Sequence, residues 1–137
     1  VSAFTGPLTI TELDAKDGRE WELAQPLVYE VGAEGSGRRI AVPAGFQTDG
    51  ASVPRIFWWL LPAWGRYSRP ACVHDYLCDL IVQRRPHPEA PTATLADAIF
   101  YEAMTVTKVS LPVRLVMWGA CRLWAWLRLR QTSRIAP

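Results

Sequence analysis

The feature that most constrains this chain is a change of period near residue 46. Before it, short β-branched or alternating runs are separated by Asp17-Gly18 and Gly35-Ser36-Gly37 turns, so residues 7–11, 20–31 and 38–42 read as antiparallel strands. Pro43-Ala44-Gly45 breaks the last of these and leads into a loop from Phe46 to Pro54. Beyond it, apolar residues recur every three to four positions, the period of a helix. Ser52 is placed to cap a short buried helix over Ile56 to Leu61, with Pro54 ahead of it. A stronger helix runs from Ser68 to Ile81. Residues 84–94 hold Pro86, Pro88 and Pro91 and read as a loop. Thr94 caps a helix to Lys108, and Pro112 opens a last helix to Gln131. Strands first and helices after make an α+β fold, with two core helices expected to pack antiparallel. Residues 1–137 are expected to form a single domain, strand-rich over 1–47 and helical over 48–137.

Half of the 137 residues are hydrophobic and a fifth are charged, which excludes a disordered chain. Three cysteines without a Cys-x-x-Cys pair argue against a disulfide framework and against a zinc ribbon. Val1 to Thr11 lack a basic start and an apolar run, so no signal peptide is expected and synthesis in a reducing compartment is. Net charge is only +2, but it is unevenly spread. Residues 1–34 hold seven acids against Lys16 and Arg19, whereas residues 111–137 hold Arg114, Arg122, Arg128, Arg130 and Arg134 and no acid. Such asymmetry points to an anionic partner or a subunit contact near the C-terminal end.

That end also invites a membrane reading. A spanning helix needs about 20 largely uncharged residues, and the arginines interrupt the run. Val113, Val116, Met117, Ala120, Trp124 and Leu127 follow helical spacing, which fits an amphipathic helix packed on the core. The alternative is an interfacial or partner-binding helix that uses Trp118 and Trp126 beside arginines.

Three segments could carry chemistry: Thr48-Asp49-Gly50-Ala51-Ser52-Val53-Pro54, Pro70-Ala71-Cys72-Val73-His74-Asp75-Tyr76, and Ala96-Asp97-Ala98-Ile99-Phe100. His74, Leu77, Cys78 and Ile81 share one helix face, and Asp97, Phe100, Tyr101 and Met104 share another. If those faces pack together, Asp97 reaches His74. An acid on one ring nitrogen fixes the tautomer and stabilises the imidazolium, leaving the other nitrogen to accept a proton from water. Asp75 points about 100° away, free to bind a hard cation with Asp49 and a loop carbonyl. Such oxygen donors suit calcium.

The His-Asp helix, the preceding Thr-Asp-Gly-x-Ser loop and the following acidic helix resemble secreted phospholipase A2 of the bacterial and fungal type over residues 46–104. The resemblance implies His74 as general base, Asp97 as its orienting acid, and calcium held by Asp49, Asp75 and the Gly50 carbonyl. Ala51 and Ala71 stand where that family has a disulfide. The set Thr-Asp-Gly-Ala-Ser-Val-Pro-Arg, His-Asp-Tyr-Leu and Ala-Asp-x-x-Phe-x-x-Ala-Met more closely resembles an uncharacterised phage and prophage family over nearly the whole chain. This second likeness implies synthesis in a bacterial cytoplasm and virion association, and it assigns no activity.

Each residue also has a plainer reading. A helical histidine is usually hydrogen-bonded structure, Asp49-Gly50 a turn and Ser52 a cap. Asp79, Glu89 and Glu102 are expected to be solvated, with Glu102 a spare ligand; His87 reads as a loop residue. Phe57-Trp58-Trp59 reads as core or assembly contact, and Cys78 and Cys121 as buried apolar side chains. Two functions follow. One is a calcium-dependent esterase acting on glycerophospholipids at a membrane surface. The other is a phage structural protein, at the tail or in virion assembly, that binds neighbouring subunits or itself. Nucleic acid is not expected as a partner, because the acidic N-terminal region opposes it.

Overall fold

The structure is a computed structural model that describes residues 3–12, 21–48 and 68–135. The expected helix over Ile56 to Leu61, its Ser52 cap, and Phe57-Trp58-Trp59 lie outside the described residues.

Six short strands form two antiparallel three-stranded sheets. They are β1 (Ala3–Thr5), β2 (Ile10–Glu12), β3 (Trp21–Leu23), β4 (Leu27–Glu30), β5 (Arg39–Val42) and β6 (Gln47–Thr48). One sheet has the order β1-β4-β5, the other β2-β3-β6. The run 20–31 is thus two strands in different sheets, parted by a bend at 24–26; the first expected strand, 7–11, shifts to β2 at 10–12, and β1 at 3–5 was not expected. A single alternating run could not supply both sheets.

Register explains which face is buried. Leu27 lies opposite Val42 and Tyr29 opposite Ile40, so four inward side chains meet in two cross-strand pairs. All four are fully buried, whereas Arg39 and Ala41 face solvent. Burial of side chains of this kind contributes roughly 1.5–3 kcal/mol each. Gly45 turns the chain from β5 into β6 at φ +88°, a backbone region that a residue with a Cβ rarely adopts. Its N–H donates to the Leu23 carbonyl at 2.8 Å, and Leu23 donates back to Phe46 at 2.9 Å.

Three helices follow: α1 (Ser68–Val82), α2 (Ala93–Val106) and α3 (Leu111–Ile135). The α+β order holds. Val73 and Leu77 of α1 join the buried sheet side chains and Ala96, Ile99 and Ala103 of α2 in one core. A second cluster joins Ala71, Phe100 and Met104 to Val109 and Met117, tying α3 to the other two helices. The N-cap of α2 is Thr92, not Thr94: its hydroxyl accepts from the Leu95 N–H at 3.3 Å, and Thr94 falls inside the first turn.

Helices α1 and α2 end alike, on a residue other than glycine. Arg84 and Lys108 take left-handed φ values of 59° and 61°. Arg85 donates to Leu80 and Arg84 to Ile81; Val109 donates to Met104 and Lys108 to Thr105. Both are Schellman closures, and the second is backed by the buried Val109–Met104 pair.

Candidate functional site: a buried histidine–aspartate–arginine triad

His74 sits in the middle of α1, on the side that meets α2. Its Nε2 lies 2.6 Å from Asp97 Oδ1. The opposite carboxylate oxygen, Oδ2, accepts from an Arg122 Nη1–H at 2.8 Å. Each helix therefore supplies one member. The Asp97 side chain is 3% exposed, that of His74 12% and that of Arg122 28%. A buried carboxylate without partners would be costly, and here both oxygens are engaged. Phe100, one turn beyond Asp97, stacks on the imidazole with centroids 4.7 Å apart and a 26° interplanar angle. Ring orientation is thus fixed by a hydrogen bond at one edge and a flat aromatic face.

Burial works against a charged His74, but the hydrogen bonds the ring makes to Asp97 and Cys78, with the charges of those two groups, outweigh it and push the imidazole up to about 9. At neutral pH the triad is a cation–anion–cation row. Cys78, one helical turn on, places Sγ 3.5 Å from Nε2 and 3.9 Å from Nδ1. The thiol and the carboxylate approach the same nitrogen, and one nitrogen cannot donate to Asp97 while taking a proton from Cys78. The trio is therefore not a relay of the cysteine-protease kind, in which thiol and acid sit on opposite nitrogens. Burial pushes the Cys121 thiol up to about 12, with Asp97 and Cys78 adding to the effect, and burial then Asp75 do the same to Cys72. Neither is a thiolate nucleophile at neutral pH. Cys78 and Cys121 are half-buried rather than fully buried.

His74, Cys78 and Asp97 also present ligand atoms within 4.8 Å of one another. That donor set has nitrogen and sulfur in two of three places, which fits a softer ion than calcium. Its carboxylate is already held by a guanidinium, which opposes a cation there. Of the residues expected to bind calcium, Asp75 lies on α1, half-buried and about 100° around the helix from His74. Asp49 and Gly50 lie outside the described residues.

One other assignment changes. Glu102 is not a solvated spare ligand: it accepts from the Tyr29 hydroxyl at 2.6 Å and the Gly32 N–H at 3.0 Å, pinning α2 to the β4–β5 sheet. Glu89 pairs with Arg38 at 2.8 Å. Asp79 accepts from Gln83 at 2.9 Å. His87 is a loop residue whose Nδ1 accepts from the Glu89 N–H at 3.1 Å. Arg122 was legible only as part of the basic end. The signal that could have placed it is the buried acid itself, which calls for a counter-charge, and the one arginine of α3 that follows directly on the Met117–Cys121 stripe.

Most of this fold, with His74 and Asp97 of the triad, falls in a recognised sequence family. The chain belongs to the family described as "Protein of unknown function (DUF1353)", whose model matches residues 21–121, from β3 to the middle of α3. The match includes His74 and Asp97 and stops one residue short of Arg122. Within the curated proteins the chain is similar to "Uncharacterized protein y4jT" of Sinorhizobium fredii (strain NBRC 101917 / NGR234), 32% identical over 69 residues. That stretch is 49% of this chain and 20% of the relative, so the chain spans about a fifth of that longer protein. No solved structure matches.

Proposed function

We propose that the chain is a phage or prophage protein with a phospholipase A2-like histidine–aspartate site that hydrolyses lipid esters. The observation that carries the reading is the 2.6 Å contact between His74 Nε2 and Asp97 Oδ1. With Nε2 committed to the carboxylate, Nδ1 is the nitrogen left to take a proton from an attacking water. Asp97 then stabilises the imidazolium that forms, and Phe100 keeps the ring from turning. Nδ1 is neutral only when the ring is deprotonated, so a pKa of about 9 makes the base scarce at neutral pH, about one molecule in a hundred. The phage setting rests on the sequence resemblance. A calcium ion on Asp75, Asp49 and the Gly50 carbonyl would steady the developing oxyanion; no step above depends on it.

The test is release of fatty acid from phospholipid vesicles. Wild type is expected to hydrolyse, with a rate that rises with pH until it levels off near 9. His74→Gln is expected to abolish it with the helices intact, because glutamine hydrogen-bonds but takes up no proton in this range. Absence of turnover by wild type across that range, with and without calcium, removes the hydrolase reading.

One observation favours a second reading, a non-enzymatic phage structural protein, at the tail or in virion assembly, built on the same helices. Arg122 occupies the second Asp97 oxygen, so the triad also serves as an ionic clamp between three helices. In that case His74→Gln changes stability and particle assembly, with no hydrolysis to lose.

A further inference from the structure

We propose that His74, Cys78 and Asp97 form a binding site for one zinc ion between α1 and α2. His74 and Cys78 stand one turn apart on the same face of α1. Four residues is the spacing at which two side chains of a helix bind one zinc ion in the His-Glu-x-x-His pattern. Asp97 meets them from α2. The three ligand atoms all lie within 4.8 Å of one another, and no other three histidine, cysteine or acidic side chains converge in this way among the described residues. The separations fit a tetrahedral ion. Nitrogen at about 2.0–2.1 Å and sulfur at about 2.3 Å from such an ion stand about 3.6 Å apart. Cys78 Sγ is 3.5 Å from His74 Nε2, which already matches that edge. Nitrogen and oxygen ligands of the same ion stand about 3.4 Å apart. The 2.6 Å contact of Nε2 with Asp97 Oδ1 therefore opens by about 0.8 Å when the ion enters.

Donor type selects the ion. A thiolate, an imidazole and one carboxylate suit zinc, whereas calcium and magnesium take oxygen ligands. Arg122 opposes a cation here, because its guanidinium holds Asp97 Oδ2. Two features offset this. The metal takes the place of protons: the imidazolium gives up its Nε2 proton and keeps Nδ1–H, the thiol gives up its own, and both protons pass to solvent. Two positive charges leave as two arrive, so the guanidinium meets no added charge. Arg122 also occupies the oxygen that the ion does not use, where a ligating carboxylate ordinarily has an outer hydrogen-bond partner. Phe100, stacked on the imidazole, fixes the plane in which Nε2 points at the site. Three protein ligands leave a fourth position for water. Metal binding and base catalysis exclude each other, because a zinc-bound ring carries its remaining proton on Nδ1. The site stands on this geometry and does not rest on the hydrolase reading.

The experiment titrates the full chain, stripped with a chelator and kept reduced, with Co²⁺ alone and then with Zn²⁺, in the absence of lipid so that hydrolysis does not enter. Cobalt reports its ligands by absorption: a thiolate gives a near-ultraviolet charge-transfer band, and a tetrahedral site gives intense visible bands. Wild type is expected to take up one equivalent with both signatures, and Zn²⁺ to bleach them by displacement. Cys78→Ser is expected to remove the charge-transfer band and to weaken zinc binding by more than the roughly 10–100-fold that loss of an outer partner costs. His74→Gln, which removes the nitrogen ligand, is expected to weaken it in the same direction. Cys72→Ala and Cys121→Ala are expected to keep the band, since neither thiol belongs to the converging group. Zinc is also expected to raise the thermal midpoint of wild type and not that of Cys78→Ser, because only a ligand that binds the folded state stabilises it. Circular dichroism reports whether each variant keeps its helices. Absence of the charge-transfer band in wild type, a band that survives Cys78→Ser, or a band lost with Cys72 or Cys121 instead would overturn the proposal.

Discussion

Helices α2 and α3 are both rich in apolar residues, and they use them in opposite ways. Along α2 the buried positions Ala96, Asp97, Ile99, Phe100, Ala103 and Met104 fall at three- and four-residue spacings, so one face takes up nearly all the apolar surface. Along α3, Met117 alone of the described side chains is fully buried, and leucines and tryptophans surround the helix. Segregation makes α2 a core element that holds the buried acid. The lack of it leaves α3 attached through one apolar stripe, the Arg122–Asp97 ion pair and the contacts of Arg114 and Trp118 with Thr105 and Tyr101, with much of its apolar surface exposed. Apolar content alone does not predict burial; its angular distribution does.

The most severe way to break this arrangement is to remove the acid that links all three helices. Asp97→Ala would leave the His74 imidazole and the Arg122 guanidinium without their shared partner, and a loss of about 3–5 kcal/mol in chemical denaturation is expected. Leu77→Ala, on the α1 face buried against the sheet, is expected to cost about 2–5 kcal/mol, because the side chain is fully enclosed. The matched substitution on α3, Leu123→Ala, is expected to fall within about 0.5 kcal/mol of wild type. Equal losses at Leu77 and Leu123 would mean that α3 is packed like α2.

A smaller effect tests how α2 is held to the sheet. Tyr29→Phe removes the hydroxyl that donates to Glu102 at 2.6 Å, and a loss of about 1.5–3 kcal/mol is expected, as for hydrogen bonds to a charged acceptor. The smallest effect is a gain. Lys108→Gly places at φ 61° the residue that tolerates it, and thermal unfolding should shift upward by the equivalent of about 0.5–1 kcal/mol.

The α+β order and the extents of α1 and α2 were legible because helical spacing and proline positions are local signals. The split of residues 20–31 into two sheets was not, since strand partners are chosen by contacts far along the chain. The left-handed ends at Arg84 and Lys108 were hidden because neither is glycine. At the site, face spacing brought His74 and Asp97 into reach of each other on paper, and the structure places them in contact. Arg122 escaped because it belongs to a third helix whose orientation no local pattern specifies. Glu102 was misread for the same reason: its partners, Tyr29 and Gly32, lie some 70 residues earlier. Asp49 and Gly50, the other half of the expected metal site, lie outside the described residues.

The central claim is that Asp97 holds Nε2 of His74 and leaves Nδ1 to exchange the proton. A nitrogen-detected NMR titration of the imidazole, with His87→Gln used to assign the signals, tests it most directly. The account predicts that Nε2 stays protonated throughout while Nδ1 loses its proton near pH 9. Because the folded value lies above the unfolded 6.5, the stabilisation from this group is fully present below pH 6.5 and is lost as pH rises through about 9. Asp97→Asn should bring the titration down. A wild-type midpoint at or below 6.5, or a neutral ring that carries its proton on Nδ1, would contradict the account.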